Sequence, residues 1–179
     1  MKKLLFILLA LAISISAMSQ QDFQTIKVKE KFSISLPSFL TPTTEDLDST
    51  ATIQYENADT LYFFKVLEES KKSVHDIFDT VDLGENFTKD IKGYFNLVDQ
   101  FASDYCDTYG FEKKETIVNG MKTIYYSLNK RAEGFDYKVN IIYVEGKNTY
   151  YQVSVWIFDE YFDSLKDIME KSLFTFKEL

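Results

Sequence analysis

Phe32, Ile34 and Leu36 alternate with Ser33 and Ser35, and the run stops at Pro37. A period of two that ends at a residue with no backbone N–H predicts a strand with one buried face. The residues before it, from Gln20 to about Thr25, read as a short polar lead. Pro37 to Thr50 holds both prolines and several Ser, Thr and Asp residues, which predicts the longest irregular segment of the chain.

Two further strands are expected near Ala51 to Glu56 and Leu61 to Glu68. Asn57-Ala58-Asp59-Thr60 supplies the turn between them. Ser73 stands three residues before Asp76 in the manner of a capping box, and Val74, Ile77, Phe78 and Val81 recur at helical spacing. A short helix is predicted there. Beyond Gly84, the stripe Phe87, Ile91, Tyr94, Phe95, Val98, Phe101, Ala102 and Tyr105 predicts the main helix.

Strand character returns at Gly110. Phe111 to Val118 and Met121 to Asn129 flank Asn119-Gly120, a pair suited to a tight hairpin because both residues tolerate positive φ. Phe135 to Glu145 and Thr149 to Phe158 form another hairpin across Gly146-Lys147-Asn148. Phe135, Tyr137, Val139, Ile141 and Tyr143 share one face of the first strand; Tyr151, Val153, Val155 and Ile157 share one face of the second. Their opposite faces carry Ile142, Val144, Tyr150, Trp156 and Phe158, so the sheet is apolar on both sides and needs cover on both. A last helix, about Glu160 to Lys171, turns Phe162, Leu165, Ile168 and Met169 inward and leads to the apolar tail Leu173-Phe174-Thr175-Phe176. The fold class expected is α+β: an antiparallel sheet with helices on both faces, an α/β/α sandwich.

The start of the chain has a different logic. Lys2 and Lys3 precede an apolar run from Leu4 to Ile13 and small residues ending Ala17-Met18-Ser19. That run is too short to span a bilayer and reads as a secretory signal peptide over 1–19, leaving 20–179 as a single domain. The expected product is exported, periplasmic or extracellular, with no integral membrane segment in its mature part. No cysteine stands at the end of the signal to carry a lipid, which favours a free, soluble form.

Composition supports a folded chain: 45% of residues are hydrophobic and 16% aromatic, with 16 Phe and 12 Tyr. Removal of the two signal lysines takes the net charge from -8 to -10. Such an acidic chain disfavours nucleic acid and anionic membrane surfaces, whose phosphates call for Lys and Arg. Cys106 is the only cysteine, so no intramolecular disulfide can form and stability must come from the core.

The segments FSISLP, VNGMKTIYYSL, TYYQVSVWIF and KSLFTF, at positions 32, 118, 149 and 171 onward, resemble the PsbP and Mog1-like superfamily. The likeness lies in an early amphipathic strand ending at Pro, a late antiparallel meander and a final helix leading to a Ser-aromatic ending. It implies a compact domain that binds or assembles other proteins, or one whose role is unassigned, and it brings no catalytic residue with it.

The chemistry-bearing residues have ordinary readings. His75 is the sole histidine and sits at a helix start; one His and one Cys fall short of a structural zinc set. Cys106 is flanked by Asp104 and Asp107 at a helix end, where carboxylates and the dipole oppose thiolate formation. Asp76, Asp79 and Asp82, and the cluster Asp159, Glu160 and Asp163, lack the spacing of a calcium loop and suit helix starts. No catalytic residue, metal site or cofactor is assigned.

Asn86-Phe87-Thr88 matches a glycosylation acceptor but places Phe87 on the apolar stripe. Asp48-Ser49-Thr50 is similar to short O-glycosylation sites of some Gram-negative bacteria.

Aromatic pairs are the remaining signal. Neighbouring aromatics in a strand point to opposite faces, so one of each pair is core and the other is available for contact. Tyr126, Tyr150, Trp156 and Phe158 are the candidate binding residues, with the Pro37 to Thr50 loop beside them. The function expected is an exported, non-enzymatic binding or assembly module whose partner is another envelope protein. An envelope hydrolase using an acidic cluster and a carrier of a small apolar ligand are the alternatives.

Overall fold

The structure is a computed structural model that describes residues 22–43, 48–103, 107–132 and 134–179. Residues 1–19, which the sequence reads as a signal peptide, Asp104, Tyr105, Cys106 and part of the Pro37 to Thr50 loop lie outside the described residues.

Among the described residues, ten strands form two antiparallel sheets. The larger contains β3 (Thr41–Pro42), β4 (Ile53–Asn57), β5 (Tyr62–Ser70), β6 (Asp107–Val118), β7 (Met121–Ala132), β8 (Phe135–Glu145) and β9 (Thr149–Phe158), in the order β3-β4-β5-β9-β8-β7-β6. The smaller contains β1 (Phe23–Val28), β2 (Phe32–Pro37) and β10 (Lys177–Glu178), in the order β1-β2-β10. Three helices are described: α1 (Lys71–Thr80), α2 (Ile91–Ser103) and α3 (Phe162–Phe174), the last entered through a 3-10 turn at Asp159–Tyr161.

The two-sided sheet expected from the strand patterns is present. On one face α3 and the small sheet close over Tyr62, Phe64, Val66, Ile142, Val144, Val153, Val155 and Ile157, with Phe32, Ile34, Leu36, Met169, Leu173 and Phe176. On the other, Val74 of α1 and Ile91, Tyr94, Phe95 and Leu97 of α2 bury Ile124, Tyr126, Val139, Ile141, Tyr143 and Tyr150. Each side chain of this size withdrawn from water contributes about 1.5–3 kcal/mol, so both faces are needed to hold the sheet.

Several local expectations are corrected. The lead before Phe32 is a strand, β1, whose residues pair with β2 from Phe23 opposite Pro37 to Val28 opposite Phe32. It lies at the sheet edge and is only partly buried, so its alternation is weak. The loop after Pro37 is interrupted by Thr41–Pro42, which pairs with Glu56 and Tyr55. Helix α1 begins at Lys71 rather than Ser73, because β5 stays paired with β9 up to Ser70 and passes directly into the helix. The capping box is therefore not formed. Helix α2 begins at Ile91 rather than Phe87: the Asp90 carboxylate accepts from the backbone N–H groups of Lys92 and Gly93 at 3.0 and 3.1 Å and sets the start. At the other end of the chain, Leu173 and Phe174 belong to α3 rather than to a tail.

Candidate functional site

Strand register decides which side chains meet on the α2 face. Residues directly opposite one another in antiparallel strands share a face. Successive pairings place Gln54, Lys65, Ser154, Ile141, Tyr126 and Lys113 in one row across β4, β5, β9, β8, β7 and β6. The adjacent row carries Glu56, Phe63, Trp156, Val139 and Leu128. Helix α2 lies over Tyr143 and Tyr150, and its later residues Val98 and Asp99 form a wall rather than a lid over Trp156.

Two depressions result. One, about 290 Å³, is lined by Asp48, Gln54, Tyr55, Phe63, Lys65, Lys130, Tyr137, Ser154 and Trp156. The second, about 570 Å³, runs beside α2 past Phe95, Val98, Asp99, Phe111, Lys113, Tyr126 and Leu128. Lys65, Lys130 and Trp156 belong to both, so the two form one groove.

The groove combines an apolar floor with ammonium groups held on aromatic rings. Lys130 Nζ lies 4.3 Å and Lys65 Nζ 5.5 Å from the centre of the Trp156 ring; Lys113 Nζ lies 3.8 Å from that of Phe95. These are cation–π distances. Lys65 is also paired with Asp48 at 2.6 Å, whereas among the described residues no ion pair is made by Lys113 or Lys130.

Asp48 is anchored from several sides. Its Oδ1 accepts from Thr50 N–H at 3.0 Å and from Thr50 Oγ1 at 2.6 Å, and Gln54 Nε2 donates to its carbonyl at 3.0 Å. Burial alone would raise the carboxyl, but the hydrogen bonds from Lys65 and Thr50 outweigh it and hold the pKa at about 2. Tyr126 is pushed up to about 12 by burial, with the neighbouring Asp99 carboxylate adding to the effect. Ser154, 1% exposed, lies in the floor with a hydroxyl that has no hydrogen-bond partner among the described residues. A buried hydroxyl left unpaired costs about 1–3 kcal/mol, which a bound polar group would recover.

The four candidate binding residues separate. Trp156 is half-buried and common to both depressions. Tyr126 lines the α2 side, stacked on Phe111 at 5.8 Å and edge-on to Phe95 at 5.2 Å. Phe158 is half-buried among Phe135, Tyr137 and Tyr161, outside the groove lining. Tyr150 is fully buried beneath α2. From the Pro37 to Thr50 loop, Asp48 reaches the groove. Lys65, Lys130, Phe63 and Ser154 were not legible in the sequence as site residues; their alternation in β5, β7 and β9 gave a face, but not which strands adjoin.

The other chemistry-bearing residues lie elsewhere. Nε2 of His75 shares a hydrogen bond with the Tyr150 hydroxyl at 3.1 Å. Asp76 and Asp79 pair with Lys72 and Lys89, and Asp159 with Lys138. Among the described residues, no group of three or more His, Cys, Asp and Glu is placed to hold a metal ion. No helix among them is long and apolar enough to cross a membrane.

No protein-family model matches the chain, and no curated protein matches it. Solved structures do. Cyanobacterial PsbP from Synechocystis matches with a TM-score of 0.53 at 10% identity, over 90% of this chain and 95% of that one. A crystal structure from Bacteroides thetaiotaomicron matches with a TM-score of 0.56 at 14% identity, over 89% of this chain and 49% of that one, so this chain spans about half of its length. The chain has the PsbP/Mog1-like fold, a mixed α+β architecture.

Proposed function

We propose that residues 1–19 are removed as a signal peptide and that residues 20–179 act outside the cytoplasm, in the periplasm or beyond, as a non-enzymatic binding module for another envelope protein. The carrying observation is the groove at Trp156: an indole shared by two depressions, two ammonium groups on its ring, and a buried hydroxyl in the floor. Large aromatic side chains at the centre of a partly desolvated depression are the usual anchors of protein contacts.

The hydrolase alternative finds less support in this groove. A general acid needs a carboxyl whose pKa is raised toward neutrality, and Asp48 is shifted the other way. Glu69 is raised by desolvation and accepts a hydrogen bond from Tyr94 at 3.3 Å, but it stands outside the groove lining.

The test is cross-linking and quantitative mass spectrometry of the tagged protein from native envelopes, wild type against Trp156→Ala. The expected result is a stoichiometric partner lost in the variant while circular dichroism and thermal unfolding stay close to wild type. If Trp156→Ala abolishes folding, the indole belongs to the core and this reading fails.

A further inference from the structure

Charge and shape together specify what the groove accepts. The chain carries 28 Asp and Glu against 20 Lys and Arg, yet the groove presents Lys65, Lys113 and Lys130 against Asp48 and Asp99. Asp48 is occupied by Lys65, while Lys113 and Lys130 make no ion pair among the described residues. An ammonium on a ring face still has N–H donors to offer, since each carries three and the ring accepts no more than a weak share.

Length narrows the occupant. Lys113 on β6 stands opposite Tyr126 of β7, four residues before Lys130, and both lysines line the same depression. Four residues of strand at about 3.3 Å each and one strand spacing of about 4.8 Å make the separation of their backbones about 14 Å. An extended peptide covers that distance in about four residues. A compact carboxylate would reach one lysine and leave the other unmet.

We infer that the groove binds an extended acidic segment of a partner protein, with an aromatic or large aliphatic side chain packed on Trp156 and carboxylates meeting Lys130 and Lys113. The buried Ser154 hydroxyl then pairs with a polar group of the segment that enters the floor. This rests on the binding-module reading and gives it a partner chemistry.

The experiment uses fluorescein-labelled eight-residue peptides with acidic residues at both ends and Phe-Leu at the centre. Matched peptides carry Lys in place of the acids. Anisotropy is read on the mature protein at low and high salt. The acidic peptide is expected to bind, to weaken about tenfold between low and high salt, and to weaken about tenfold in Lys130→Glu or Lys113→Glu. Trp156→Ala is expected to weaken it by a similar factor, and the exposed Lys147→Glu to leave it unchanged. Circular dichroism confirms that each variant is folded, and a Trp156→Ala variant that fails to fold overturns the inference together with the reading it rests on.

Equal binding of the Lys-bearing peptide, or indifference to Lys130→Glu and Lys113→Glu, overturns the inference. So does binding of phenylpropionate or laurate at Trp156 where the peptide fails, which assigns a small-molecule site, or self-association that Trp156→Ala abolishes, which assigns a second copy. Envelope capture that still depends on Trp156 while acidic peptides do not bind would sink this inference and leave the binding-module reading standing.

Discussion

The rings of Tyr94 and Tyr150 stack with centroids 4.5 Å apart and planes 7° from parallel, joining α2 to the centre of the large sheet. Both side chains are fully buried, and each hydroxyl has a partner: Tyr94 donates to Glu69 at 3.3 Å, and Tyr150 shares a hydrogen bond with His75 Nε2 at 3.1 Å. The stack thus carries both apolar contact and satisfied polar ends. Tyr150→Ala is expected to cost about 3–5 kcal/mol, as large aromatic deletions in cores do. Tyr150→Phe keeps the ring and loses one hydrogen bond, a cost of about 1 kcal/mol. Urea midpoints of the two variants check this ordering. Similar losses for both would show that the hydroxyl, not the ring, holds α2 down.

Asp48 makes the groove sensitive to acid. Its carboxyl titrates at about 2 in the folded chain. In an unfolded chain it would titrate at about 3.9, so the folded state is favoured whenever Asp48 is ionised. Because the folded value is the lower one, this stabilisation is complete above the unfolded value and is lost as pH falls from about 4 to 2, with a size of about 2 kcal/mol. The side chain is 23% exposed, so solvent screens it only in part. Asp48→Asn is expected to lower stability at neutral pH and to flatten the acid limb. Denaturant midpoints of both proteins from pH 2 to 6 measure the difference; parallel acid limbs would remove Asp48 from the account.

Legibility in the sequence followed the range of the interactions. Phe135–Glu145 and Thr149–Phe158 are strands at the expected bounds, because sustained alternation and a Gly-containing turn are local signals. Asn119-Gly120 is likewise local, with φ of 49° and 85°. The groove depends on β5 lying beside β9, strands far apart in the chain, and nothing within a single strand encodes its neighbour. Lys65 and Lys130 therefore read as ordinary surface lysines. Trp156 and Tyr126 stood out only because a large aromatic on the second face of a sheet calls for a partner. Tyr150 carried the same sequence signal, but its partner is Tyr94 of α2.

The Asn119-Gly120 turn does more than close a hairpin. Asn119 Nδ2 donates to the carbonyl of Phe174, the last residue of α3, at 3.3 Å and to that of Phe176, just beyond the helix, at 2.7 Å. Its positive φ also disfavours side chains branched or bulky at Cβ. Asn119→Gly removes the two bonds but fits the backbone, whereas Asn119→Ala removes them and strains it. Losses of about 1 and 2 kcal/mol are expected, in that order. Thermal unfolding of the pair tests the order. Equal losses would mean that the backbone conformation costs nothing and the bonds alone matter.

Gly93 sits in the first turn of α2, where the backbone of Thr88 crosses the helix. A Cβ built on Gly93 would collide with Thr88 O and lie 2.6 Å from Thr88 N, both backbone atoms that cannot rotate away. The crossing is fixed by Asp90, whose Oδ1 accepts from Thr88 Oγ1 at 2.6 Å and from Gly93 N–H at 3.1 Å. Helix propensity alone favours Gly93→Ala by about 1 kcal/mol, so propensity and packing make opposite predictions at this position. Packing is expected to win. The added methyl forces the Thr88 crossing off the helix and loosens the Asp90 cap, for a net loss of about 1–3 kcal/mol. Hydrogen exchange should speed up at the amides of Lys92 to Phe95, and the loosening should extend to Val98 and Asp99 in the groove wall. A stabilised Gly93→Ala variant with unchanged exchange would show that the chain does not cross α2 at Gly93.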